Sequence, residues 1–84
     1  MRNYHSILAR LPQHEFNIRK HCADDKYFRL ICGDYEEAAN AQRFWQNAGE
    51  FGEKRSREYA KIMDELETEI LGLLDLPKRV EAAN

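Results

Sequence analysis

Two stripes of apolar residues, each repeating at three- and four-residue intervals and separated by a glycine-bracketed gap, constrain this chain more than any other feature. The first runs through Phe28, Ile31, Tyr35, Ala38 and Trp45, broken only at Gln42, with Leu30, Ala41 and Phe44 beside it. The second runs through Tyr59, Met63, Leu66, Ile70 and Leu73, flanked by Ile62, Leu71 and Leu74. Such spacing puts successive apolar side chains on one face of an α-helix, and its repetition is the pattern of a coiled-coil seam. Between the stripes, Ala48-Gly49 reads as a helix stop, because glycine takes the left-handed conformation that closes a helix at little steric cost. The next helix has to restart before Tyr59, which places the connection at Gly49 to Gly52 with Phe51 in its middle. A connection that short forces the two helices antiparallel. The expected fold is therefore all-α, built around a long antiparallel helical hairpin.

Local signals set the remaining boundaries. Tyr4, Ile7, Leu8 and Leu11 have helical spacing, and Pro12 interrupts any continuing helix, so residues 1–11 form a short N-terminal segment. Pro12 suits the first turn of a new helix, where its missing N–H would have no partner anyway, and a short helix over 12–22 follows. Asp24 and Asp25 are a start signal for a long helix over 24–48, since a carboxylate can accept first-turn N–H groups. Gly33 costs about 1 kcal/mol against alanine inside that helix, which implies a closely approaching neighbour or a local weakness. The second long helix spans 53–76; Pro77 ends it and leaves 77–84 as a flexible tail. Nothing alternates with period two over a useful length, so strands have no support.

With 84 residues the chain is a single domain, and 43% hydrophobic with 33% charged residues suits amphipathic helices in water. A chain of this size buries little more than about 60% of its unfolded surface. A lone hairpin also covers only one side of each apolar stripe. Either the N-terminal helix folds over the hairpin as a third member, or two hairpins pair into a dimeric four-helix bundle; the expectation is a mixture, in which the N-terminal segment packs on the hairpin and a remaining face dimerises. The expected partners are a second copy, as a homodimer or small homo-oligomer, and another protein. A net charge of -2 gives no long-range attraction to nucleic acid or to an anionic membrane. The most basic stretch, Lys54, Arg55 and Arg57, is flanked by Glu53 and Glu58 and reads as a solvated helix start. The N-terminal sequence has no signal-peptide apolar region, and no apolar run approaches the roughly 20 residues that span a bilayer. Cytoplasmic residence is the expectation.

No constellation of residues points to catalysis. No Glu is followed three residues later by His, as a di-iron bundle requires, and no phosphate-cradling glycine loop or nucleophile elbow is present. Asp64, Glu65, Glu67 and Glu69 lie around a helix without a His partner, so solvation explains them. The expectation is a non-enzymatic protein with no cofactor and no metal. His5, His14, His21, Cys22 and Cys32 all fall early in the chain, but they lack the paired spacing of a zinc site. On one continuous helix Cys22 and Cys32 would stand about 15 Å apart, too far for a disulfide, an objection that a turn near Asp24 relaxes. The rival reading is a metal- or redox-responsive protein using His21, Cys22 and Cys32. The leading one is interaction through aromatic side chains at Tyr35, Phe44, Trp45 and Phe51. Adjacent Phe44 and Trp45 cannot both face one seam, and Trp and Tyr are favoured at interface hot spots.

From Leu11 onward, Pro12-x-His14, Ile18, Asp25 with Phe28, and Tyr35-Glu36 resemble the opening of the YdcH-like family of short bacterial helical hairpins. Glu58-Tyr59 and Glu65-Leu66-x-x-Glu69-Ile70 through Leu73 look like that family's second helix, and the resemblance covers about two thirds of the chain. The stretch Ala38 to Ala41, Phe44-Trp45 and the two cysteines depart from the family pattern. The resemblance implies a hairpin fold and no enzyme activity.

Overall fold

A computed structural model describes residues 4–82 of the chain, with side chains through Leu74. Four α-helices follow one another: α1 (His5–Arg10), α2 (Glu15–Asp24), α3 (Lys26–Gln46) and α4 (Glu50–Ala82), with a 3-10 turn at Pro12–His14. No strand occurs among the described residues, and the all-α hairpin is the observed fold. The two long helices pack against each other along their length, and α1 and α2 fold back onto α3.

Each break has a local cause. Leu11 sits at φ -126 and ψ 62, outside the helical region that a following proline disfavours, and Pro12 opens the 3-10 turn. That turn leads directly into α2, so the second segment is part 3-10 and runs to Asp24. Asp25 is extended (φ -128, ψ 111), and its carboxylate accepts the N–H groups of Tyr27 at 2.9 Å and Phe28 at 3.2 Å. This N-cap starts α3 and lets the chain change direction after α2. Gly49 (φ 70) supplies the left-handed residue between α3 and α4.

At three positions the structure departs from the sequence reading. The connection between the long helices is the tighter turn Asn47–Gly49, and α4 begins at Glu50, so Phe51 and Gly52 lie in its first turn. Gly52 reads as a loop residue in sequence but serves close packing: a Cβ there would fall 1.8 Å from the Trp45 carbonyl oxygen. Pro77 does not end α4, which continues to Ala82. Proline forfeits one backbone hydrogen bond, yet its fixed φ is itself helical, and the helix passes through it. Residues 1–3 and 83–84, part of the expected N-terminal segment and tail, lie outside the described residues.

The core is concentrated at one end of the hairpin. Ile7, Leu11, Ile18, Cys22, Phe28, Ile31, Cys32, Tyr35 and Ile70 are buried together, with Met63, Leu66, Leu73 and Leu74 packed against them. Gly33 is buried beside this cluster. Thus α1 and α2 supply the third layer that the apolar stripe of α3 requires. A buried carboxylate fixes α1 in place: Glu36 on α3 accepts the backbone N–H of Ile7 at 3.0 Å. That N–H is one of the first-turn donors an α-helix leaves unpaired, and no side-chain cap within α1 serves it. On the outside, Arg10 pairs with Glu67 of α4 at 2.9 Å, and the Tyr27 hydroxyl donates to Glu69 at 2.6 Å.

Candidate functional site

The opposite end of the hairpin is built differently. Across residues 40–60 the only buried residue is Gly52, which has no side chain. This arm is two helices thick, and its seam residues Gln42, Trp45, Ala48, Ser56 and Tyr59 are only half-buried. Its aromatic side chains face three ways. Trp45 stays partly in the seam, with the Arg55 guanidinium 5.6 Å from its ring centroid. Phe44 meets Trp45 edge-on at 5.1 Å between centroids, yet is 65% exposed. Phe51, on the first turn of α4, is 93% exposed. Beside the turn, Gln46, Gly49, Glu50, Glu53 and Ser56 line a shallow depression of ≈ 400 Å³.

Tyr35 does not belong to this surface. It is 3% exposed and part of the core, because its position on the seam turns it toward α1 and α4. Burial raises the pKa of its phenol, and nearby Glu67 raises it further, so the hydroxyl stays protonated in neutral water. Of the four aromatic residues singled out in sequence, then, Phe44, Trp45 and Phe51 share the hairpin tip and Tyr35 lies at the core end.

At that core end, the break at Asp25 brings two further residues together. Cys22, in the last turn of α2, and Cys32, in the second turn of α3, are both buried free thiols of one cluster. Their side chains are near enough for each to shift the ionisation of the other. Burial raises the pKa of both, more strongly for Cys32, while the cations Arg29 and Arg19 oppose the rise at Cys22. Arg29 is held there by donating to the Cys22 carbonyl oxygen. His21 turns away from the pair: its Nδ1 lies 2.9 Å from the Asn17 carbonyl oxygen, and its ring packs on Phe28 at 5.1 Å. Among the described residues, no three His, Cys, Asp or Glu side chains form a metal-holding set. No described helix is long and apolar enough to cross a membrane.

Sequence reasoning missed Glu36 as a cap, Gly52 as a packing residue and the placing of both thiols in one buried cluster. Only the last had a signal, the Asp24-Asp25 break between the two cysteines. Comparison of the sequence with family models and curated proteins, and of the fold with solved structures, finds no match.

Proposed function

We propose that this chain is a non-enzymatic, cytoplasmic interaction protein whose hairpin arm pairs with a second copy of itself. The observation that carries the reading is the two-helix arm, which has no buried side chain across residues 40–60 yet holds Phe44 and Phe51 out in water. Scattered exposed apolar residues are ordinary, but two exposed phenylalanines beside one turn, on an arm with no buried side chain, suit an interface.

Magnitudes favour a reversible pair. Covering Phe44 and Phe51 removes roughly 300 Å² per chain at about 150 Å² per ring. At about 25 cal/mol/Å² this is a gross ~7 kcal/mol per chain, and about twice that in a symmetric dimer. Association costs about 4–15 kcal/mol in lost translational and rotational freedom, so affinity in the micromolar range is the expectation. Residues 40–60 carry four cations and three anions, so two arms meet without strong net repulsion. Laid antiparallel, two arms complete the four-helix packing that each lacks alone. The same proposal includes membership of the YdcH-like hairpin family, which rests on the motifs given above.

Sedimentation and light scattering from about 1 to 200 μM test this reading, the range following from the expected affinity. A mass rising toward that of a dimer supports it, and Phe51→Ser should hold the chain at monomer mass. A wild-type monomer throughout would end the self-association claim.

A further inference from the structure

The aromatic tip is half of what the fold leaves unexplained; the thiol pair at the other end is the other half. Two cysteines that would stand about 15 Å apart on a straight helix are brought into one buried cluster because α2 ends at Asp24 and α3 starts afresh after the extended Asp25. Both belong to the buried cluster that joins the N-terminal segment to the hairpin. We propose that Cys22 and Cys32 are a dithiol that closes reversibly to an intrachain disulfide in exchange with a small-molecule disulfide such as glutathione disulfide, clamping α2 onto α3. This site lies at the core end of the molecule, away from the aromatic tip.

The order of events follows from the surroundings. Cys22 is 7% exposed and Cys32 is 0% exposed, so an incoming disulfide reaches Cys22 first. The cations Arg29 and Arg19 and the neighbouring Cys32 thiol also favour the Cys22 thiolate over that of Cys32. The Cys22 thiolate attacks one sulfur of glutathione disulfide, forming a mixed disulfide and releasing one glutathione thiolate, which takes up the proton Cys22 gave up. Cys32, losing its proton to solvent, then attacks the Cys22 sulfur of the mixed disulfide and displaces the second glutathione. The net change is protein dithiol plus glutathione disulfide to protein disulfide plus two glutathione thiols. Two electrons pass from the protein sulfurs to the small disulfide, and both protons end on glutathione.

Burial makes this pair slow rather than absent from exchange. The thiols stay protonated in the closed fold, so reaction proceeds through openings that lift α1 and α2 from α3. Once formed, the bond opposes those openings by tying residues 22 and 32 together. Oxidation therefore locks the N-terminal segment over the apolar face of α3, and reduction restores its ability to lift.

The full chain, equilibrated without oxygen over a series of glutathione to glutathione disulfide ratios, quenched in acid and alkylated, is read by intact mass. The expected result is one transition from a doubly alkylated chain to a chain two hydrogens lighter that takes no alkylating agent and carries no glutathione. Cys22→Ser and Cys32→Ser should each stop at a mixed disulfide or a free thiol. The wild-type result stands even if either variant fails to fold. Two alkylatable thiols at every ratio, or oxidation only to chain-to-chain disulfides, would overturn the proposal. Hydrogen exchange supplies a second readout: amides of α2 should exchange at least roughly tenfold more slowly in the oxidised chain. Equal rates in the two forms would overturn the clamp.

Discussion

Two single residues, Gly52 and Glu36, fix how neighbouring helices meet. At Gly52, any side chain would meet the Trp45 carbonyl, which is backbone and cannot swing aside. Gly52→Ala should therefore cost about 1–3 kcal/mol despite alanine's better helix propensity. Gly72 is the control, since nothing lies within 4 Å of the position its Cβ would take. Gly72→Ala should stabilise the chain by about 0.5–1 kcal/mol, read from urea midpoints of the two variants. Opposite signs are expected; equal shifts would mean that the turn is looser than described. Glu36 is the second such residue. Removing its carboxylate in Glu36→Ala leaves the buried Ile7 N–H without an acceptor and should cost about 1–3 kcal/mol. Glu36→Gln keeps an acceptor oxygen and should cost less. None of these roles is legible in sequence. Glycine before a helical stripe reads as a loop, and the Ile7–Glu36 contact joins positions 29 apart.

At the scale of elements, the sequence is most legible where the physics is local. The apolar spacing locates both long helices, because it records which face each must bury. Pro12, Asp25 and Gly49 mark breaks through their own backbone and capping chemistry. Boundaries drifted where a residue had two uses: Gly52 packs rather than turns, and Pro77 rides within α4 instead of ending it. Packing of the N-terminal segment on the hairpin follows from the unpaired apolar faces, but the contacts that fix it, the Arg10–Glu67 pair and the Glu36 cap, bridge distant parts of the chain and leave no local signal. This docking predicts an order of opening. In Glu36→Ala, amides of α1 should lose protection before those of α3, as measured by native-state hydrogen exchange. Simultaneous loss across α1 and α3 would mean that α1 is not a separate opening unit.

The whole molecule has two ends with different duties, a three-layer base and a two-helix arm. The base holds groups that resist ionisation: burial raises the pKa of Cys22, Cys32 and Tyr35 above ordinary values of 9.0 for the thiols and 10.0 for the phenol. The unfolded chain then releases these protons first, so rising pH favours unfolding. Stability should be level through neutrality and fall from about pH 9 upward. A double Cys22→Ser, Cys32→Ser variant should keep only the part of that alkaline loss that begins near pH 10 with Tyr35 and Tyr27, measured by denaturant midpoint against pH. The arm gave a partial sequence signal, since adjacent Phe44 and Trp45 cannot both face the seam, but which ring lies outside required the fold. Phe51 on the opposing helix completes the exposed set. The central claim is that this arm pairs with its own kind, and sedimentation equilibrium of the wild-type chain beside Phe51→Ser tests it most directly. A concentration-dependent dimer that Phe51→Ser abolishes without loss of helicity is the predicted result; a wild-type chain that stays monomeric at about 200 μM, well above the expected dissociation constant, would contradict it.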